Sequence, residues 1–324
     1  MKIIILCPLG VRTGGPEALH QLCDSLNQFA LDASMFYTTE SDFIFISDIN
    51  KSDLSKLVIN VGDRANPIDE YKKYRAPVIT ELRFSEDTVF IFPETYLHWV
   101  PILHQSLSII WWLSVDNAFK YLSMSTLNLN TLRSLNIIHA YQSDYACRFL
   151  ESLNIIQRIK LTDYTIAPLS TINSKESISI NAGHKVVFDV DEITNSIKSN
   201  SNIKINLISG LSRSEVYDLL SSSFCFIDLG NFPGKDRLAR EAALLKCIPV
   251  VLNVGGAQDY SLPSQLKISI DQIDSLPFLI NSILDNYSIF LESIDNFIFN
   301  INTEKVEFMK EVSSLIRKIH FHST

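Results

Sequence analysis

The residues of this chain best suited to chemistry lie in "NFPGKDRLAREAALL", where Gly234 is followed by Lys235, Arg237, Arg240 and Glu241. Lys and Arg at the start of a helix offer fixed donors and permanent positive charge, which is what a diphosphate needs. Glu241, one turn after Arg237, is an acceptor able to hold sugar or ribose hydroxyls. The same spacing makes Asp236–Arg240 and Arg237–Glu241 ordinary i,i+4 pairs, worth a few tenths of a kcal/mol on an exposed helix. These residues alone favour neither reading.

The glycines point the same way. Only 10 occur in 324 residues, and seven of them form three clusters: Gly10, Gly14 and Gly15; Gly230 and Gly234; Gly255 and Gly256. Each cluster follows an apolar run, and in open α/β sheets ligands bind beyond the carboxyl ends of the strands. Glycine lets backbone approach a ligand closely, so the three loops are expected to line one phosphate-bearing ligand. In "GVRTGGPEALHQL", Pro16 is expected at the first helical position, with N–H groups and helix dipole favouring an anion. G-x-x-x-G-G also serves as a plain strand–helix turn. Neither the dinucleotide pattern G-x-G-x-x-G nor a P-loop occurs.

Carboxylates at strand ends are the other candidates. In "SIIWWLSVDNAF", Asp116 stands where a catalytic or acceptor-binding carboxylate would, and Trp111 and Trp112 read as core more than as a sugar platform. Glu94 in "FPETY" occupies a similar place. "KVVFDVDEIT" ends in Asp189-x-Asp191, a pattern that can hold Mn²⁺ or Mg²⁺. The favoured reading is that these aspartates end a strand and cap the next helix. No His has metal-ligand spacing, so no metal site is expected.

The elements that must position these residues alternate. "KIIILCPL", "ASMFYTT", "KLVINVG", "APVITEL", "TVFIFP", "SIIWWLSV" and "NIIHAYQ" read as strands, with helices over Pro16–Phe29 and "SDYACRFLESL", the latter capped by Ser143. "TIAPLSTINSKESISINAGH" reads as a linker. The pattern then restarts with "HKVVFDVD", "IKINLI", a helix in "LSRSEVYDLLSSS", "FCFIDLG", "VVLNV", "KISI" and terminal helices. Strands apolar throughout, alternating with helices, argue for parallel sheets covered on both faces. The reading is two α/β domains, residues 1–168 and 169–324.

Composition narrows the partners. A formal net charge of −8 and a pI of about 5.4 exclude the basic footprint that nucleic acid requires. The five cysteines are dispersed and never spaced C-x-x-C, which indicates neither disulfides nor zinc and suits a reducing cytoplasm. The amino-terminal apolar run is too short for a signal peptide, and no stretch approaches the ~20 residues of a membrane span.

Together these segments resemble the GT-B glycosyltransferases of bacterial capsule, O-antigen and exopolysaccharide synthesis. The likeness is densest at "YDLLSSSFCFIDLGNFPGKDRLAREAALLKCIPVVLNVGGAQDY", which is similar to that family's "IDFG-x-HPGKDR-x-PREAA" segment and Gly-Gly loop. "GVRTGGPEALHQL", "WWLSVDN" and "YQSDYACRFL" resemble its amino-terminal motifs, in the same order. The resemblance implies two Rossmann-like domains facing a central cleft, the first on the acceptor side and the second binding a nucleotide-sugar donor. Glu241 would stand where retaining members place their donor-binding Glu, with Lys235, Arg237 and Arg240 near the diphosphate. Gly234, Gly255 and Gly256 would lie at the donor, and Gly14 and Gly15 would close over it. Transfer of a sugar to a glycan or lipid-linked glycan is implied, without metal or other cofactor.

Two departures stand out. Pro233 occupies the position of the family's earlier glutamate, and "HKVVFDVDE" replaces the family's basic "YNPKKG" segment, leaving Lys185 as the substitute cation. The residues therefore leave open a non-catalytic homologue partnering an active transferase, and also a nucleotide-sugar epimerase of the same fold. The amphipathic end, "EFMKEVSSLIRKIHFH", is expected to cross back onto the first domain or to touch the inner face of the plasma membrane.

Overall fold

In the computed structural model the run KIIILCP forms β1 (Lys2–Pro8), with Ile3, Ile5, Leu6 and Cys7 fully buried. Burial on both faces is the mark of a central parallel strand. The structure describes residues 1–39, 42, 58–60, 68–84, 87–103, 106–118, 127, 129–134, 136–166, 173–183 and 185–323. The chain divides into two compact units, Met1–Asp163 with Val306–Thr324, and Tyr164–Lys305.

In the first unit β1 is followed by α1 (Gly14–Gln28), β2 (Asp32–Thr38), β3 (Val58–Asn60), β4 (Glu81–Arg83) and β5 (Thr88–Pro93). After them come β6 (Ser108–Trp112), β7 (Ile137–Tyr141), α2 (Asp144–Ser152) and β8 (Arg158–Lys160). The main sheet has the order β2-β1-β5-β6-β7-β8 and is parallel throughout. β3 and β4 form a separate antiparallel pair. Ser143 caps α2 as its sequence predicts, its hydroxyl accepting from the Ala146 N–H at 3.2 Å. Trp111 and Trp112 are both fully buried, and their ring N–H groups donate to the Leu161 carbonyl and to His139 Nδ1. They are core residues.

The second unit holds β9 (Ser177–Asn181), α3 (Val190–Lys198), β10 (Lys204–Ile208), α4 (Arg213–Ser221), β11 (Ser223–Asp228), α5 (Leu238–Leu244), β12 (Ile248–Leu252) and β13 (Lys267–Ile268). Its parallel sheet has the order β10-β9-β11-β12-β13. Three helices follow: α6 (Leu276–Asp285), α7 (Tyr287–Ser293) and α8 (Asp295–Ser323). From Val306 onward α8 counts with the first unit, where Phe308 stacks on Trp111 and Glu311 accepts from the Thr162 N–H at 2.7 Å. By packing, the chain divides at Asp163/Tyr164, and the part of α8 from Val306 onward belongs to the first unit.

Three expectations need correction. "HKVVFDVD" is no strand of the sheet: Val186 makes an isolated antiparallel bridge to Gly230, and α3 begins at Val190; His184 lies outside the described residues. The missing strand is β9, inside the segment read as a linker. Its serines hide it, because Ser177 and Ser179 are fully buried and both bond the hydroxyl of Ser223, at 3.1 and 2.8 Å. Finally, α1 starts at Gly14, so Pro16 lies in its first turn instead of opening it. Of "KLVINVG", only the β3 residues are described. Among the described residues no helix is long and apolar enough to cross a membrane.

Candidate active site

Strand order in the second unit reverses between β9 and β11. Such a switch point opens a crevice at the carboxyl ends of the two strands. Asn181 ends β9 and Asp228 ends β11, and the Asn181 amide donates to Asp228 Oδ1 at 3.0 Å. The N–H of Gly230 donates to the same oxygen at 3.1 Å. Burial, and then the neighbouring Asp236 charge, push the Asp228 carboxyl up to about 6.

The chain after β9 turns back along the chain after β11. Asn231 N–H donates to the Lys185 carbonyl at 3.0 Å, and the Val186–Gly230 bridge continues the contact. The Lys185 ammonium then pairs with Asp236 Oδ2 at 3.1 Å. Burial alone would raise Asp236, but the Lys185 charge and hydrogen bond, with the Leu238 and Arg237 N–H groups, hold it below its ordinary value.

The glycine clusters of this unit have an internal reason to exist. A Cβ on Gly230 would sit 2.9 Å from the Lys185 carbonyl oxygen. On Gly255, at φ +52°, it would sit 2.1 Å from the Phe232 oxygen, and on Gly256 2.3 Å from the Gly234 oxygen. The Gly256 N–H donates to the Phe232 carbonyl at 2.7 Å. The loop after β12 therefore lies directly on the backbone of the loop after β11. Close approach is needed, but between two loops of the protein.

Gly234 and Lys235 do not open a helix. α5 begins at Leu238, and Asp236 Oδ1 accepts from the Leu238 N–H at 3.4 Å. One N–H of the helix start is thus served by a carboxylate of the chain itself. What gathers here is side-chain charge. Lys235 pairs with Glu304 Oε1 at 2.8 Å and Arg240 with Glu304 Oε2 at 2.8 Å. Arg240 is fully buried and also donates to the carbonyls of Asp236 and Lys235, each at 3.0 Å. The expected Asp236–Arg240 side-chain pair is replaced by this bond to the Asp236 backbone.

Glu241, 4% exposed, collects donors. Its Oε1 accepts from Arg213 at 3.0 Å and from the Tyr217 hydroxyl at 3.1 Å, and Arg237 Nε lies 3.5 Å away. Arg213 also donates to the Tyr217 hydroxyl at 2.6 Å. Among the described residues, Lys185, Arg213, Lys235, Arg237 and Arg240 thus gather with Asp228, Asp236, Glu241 and Glu304.

Arg213, Tyr217, Asn181, Asp228 and Glu304 went unnoticed as site residues in the sequence. Arg213 and Tyr217 carry a faint signal, being four apart on one helix. Glu304 carries none, since nothing local ties it to a loop near residue 235.

In the first unit the strand order reverses between β1 and β5. Gly14 and Gly15 form the first turn of α1 there, and a Cβ on Gly15 would lie 3.7 Å from Leu113 Cδ1. Tyr71 fixes the glycine loop, its hydroxyl donating to the Val11 carbonyl at 3.3 Å while its ring stacks on buried His20 at 4.3 Å. Glu94, 2% exposed, accepts from the Leu113 N–H at 2.9 Å, and burial raises its carboxyl to about 7. Asp116 is exposed just beyond β6 and accepts from the Tyr145 hydroxyl at 2.9 Å. A depression of about 700 Å³ lined by Lys2, Thr80, Glu81, Arg83 and Thr88 lies at the opposite, amino ends of β1 and β5, away from these groups.

Asp189 caps α3, its Oδ1 accepting from the N–H groups of Asp191 and Glu192 at 2.8 and 3.2 Å. Among the described residues no group of three His, Cys, Asp or Glu side chains is placed to hold a metal ion. All five cysteines are free thiols.

The two parallel sheets, each with its switch point, define an α/β chain of two Rossmann-like units, the GT-B fold. Solved structures share it along their whole length. Sucrose-phosphate synthase from Thermosynechococcus elongatus aligns with TM-score 0.66 at 13% identity, covering 100% of both chains. S. aureus TarM, solved as a point mutant with fondaparinux, alpha-GlcNAc-glycerol and UDP, aligns with TM-score 0.64 at 9% identity over 96% of this chain and 99% of that one. The pneumococcal O-GlcNAc transferase GtfA, in complex with UDP and GlcNAc, gives TM-score 0.61 at 11% identity over 100% and 99%. No protein-family model matches the chain, and no curated protein does.

Proposed function

We propose that this chain is a nucleotide-sugar-dependent glycosyltransferase that extends a surface glycan (capsule, O-antigen or exopolysaccharide). The second unit binds the donor and the first serves the acceptor. The observation that carries the reading is that Lys185, Arg213, Lys235, Arg237 and Arg240 gather on the loops and helices at the β9/β11 switch point. TarM and GtfA, which share the fold, were solved with UDP.

In the reaction an acceptor oxygen attacks the anomeric carbon, the sugar–phosphate bond breaks, and the nucleoside diphosphate leaves with charge growing on its β-phosphate. Lys185, Lys235 and Arg237 stabilise that charge in place of a metal, an effect concentrated in the transition state. Glu241, held by Arg213 and Tyr217, accepts from donor hydroxyls. Asp116, exposed at a strand end, takes the acceptor's proton. Gly14 and Gly15 attend the donor from the first unit; Gly234, Gly255 and Gly256 shape the loop that bears Lys235. The protein works in the cytoplasm, at the inner face of the plasma membrane where its acceptor is lipid-linked.

One observation favours a second reading, the non-catalytic homologue: Lys185, Lys235 and Arg237 already face carboxylates of the chain. Incubation with a panel of labelled nucleotide-sugars decides. A transferase releases nucleoside diphosphate and passes the label to acceptor glycan or, slowly, to water. Recovery of an isomeric nucleotide-sugar means an epimerase, and an unchanged donor leaves the partner role.

A further inference from the structure

Glu304 lies on α8, far in sequence from every motif that carries the donor reading, yet its carboxylate is the hub of the donor loop. Its two oxygens are divided between two cations, Oε1 with Lys235 and Oε2 with Arg240, both at 2.8 Å. Oε2 also accepts from the Thr165 N–H at 2.9 Å, which fixes the carboxylate from a third direction. The group is 6% exposed. Ionised partners and low exposure make these bonds stronger than neutral ones at the surface.

The two cations do different work. Arg240 is fully buried and binds the carbonyls of Lys235 and Asp236, so it braces the loop backbone from inside. The Lys235 side chain is 22% exposed and is reachable from solvent. One negative charge between two positive ones offsets their mutual repulsion.

We propose that Glu304 is the positioning residue of the donor site: by bridging buried Arg240 and solvent-facing Lys235 it fixes the ammonium where the diphosphate of a nucleotide-sugar is held. The inference rests on the transferase reading, which makes a diphosphate the ligand. Glu304 itself does not touch the donor. A glutamine cannot replace it, because one end of the amide is a donor that would face a cation.

The test is calorimetric titration of UDP, ADP and GDP into the folded wild type, Lys235→Ala, Glu304→Gln, Glu304→Asp and Glu304→Gln/Lys235→Ala. Glu304→Gln is expected to weaken the tightest diphosphate about tenfold, as loss of a charge-assisted bond predicts. Glu304→Asp, which keeps the charge on a shorter arm, weakens it less. The double variant binds no more weakly than Lys235→Ala, since Glu304 acts through Lys235. A residue that only stabilised the fold would lower Tm in each background without moving Kd. Wild-type affinity in Glu304→Gln, or losses that multiply in the double variant, overturns the proposal. Should Glu304→Gln fail to fold, wild-type affinity in Glu304→Asp overturns it equally. A wild type that binds none of the three diphosphates instead removes the transferase reading, and this inference with it.

Discussion

At Gly255 and Gly256 the chain has no room for a side chain, because an added methyl would meet backbone oxygens at 2.1 and 2.3 Å. Gly256→Ala is therefore expected to cost at least about 2 kcal/mol, as strain and lost loop packing do, read as a fall in Tm. Gly10→Ala is the control: φ is +74° but nothing lies within 4 Å of the new atom, so only the left-handed cost of about 1–2 kcal/mol applies. Arg237→Ala tests the chemistry at the same scale. Glu241 keeps Arg213 and Tyr217 as donors, so the fold survives while turnover falls by about 10²-fold, the usual loss of one charge-stabilising donor; a rate equal to wild type removes Arg237 from the mechanism. Sequence spacing identifies Lys235, Arg237, Arg240 and Glu241 as one group and pairs Arg237 with Glu241, as the structure does, but it gives Arg240 the wrong partner. Local i,i+4 logic sees Asp236 for Arg240, whereas the side chain reaches Glu304 on another helix.

Among the elements, most strands were legible because they are apolar from end to end, β1 and β12 above all. β9 was not, because its alternating serines are satisfied by Ser223 and by Asn206, which donates to Ser177 at 2.9 Å. Composition marks such a segment as linker, and only the pairing with β10 and β11 makes it a strand. The converse error, at Val186–Asp189, arose because Phe188 and the following Val190 pack against the core without joining the ladder, while Val187 is exposed. The expected cap at the start of α3 is supplied by Asp189 alone, with no strand before it, and it yields a test. Asp189→Ala should cost about 1 kcal/mol of stability, as loss of an N-cap does, with diphosphate binding unchanged by EDTA. Binding that depends on both Asp189 and a divalent ion would reinstate a metal.

For the molecule as a whole, the α/β class and its duplication were readable from the alternation of elements, while the strand orders, and so the switch points, came only with the structure. Its acid response is also a whole-molecule property. Glu94 is raised by burial from 4.5 to about 7, so the folded state binds this proton more tightly than the unfolded chain. Its contribution is full below pH 4.5 and is lost as pH rises to about 7, a difference of order 1–3 kcal/mol. Unfolding free energies across that range should fall with pH in wild type more than in Glu94→Gln; parallel curves would contradict the assignment.

The most direct measurement is the thermal stability of the purified chain against UDP, ADP, GDP and CDP, each with Mg²⁺ and with EDTA. A ligand present at about 100 times its Kd stabilises by ~2.7 kcal/mol, roughly 5–10 °C at this domain size. The predicted result is a shift of that size with one diphosphate, the same with Mg²⁺ and with EDTA, and reduced in Lys235→Ala. No shift with any diphosphate, or one that EDTA abolishes, would contradict a metal-free donor site at the β9/β11 switch point.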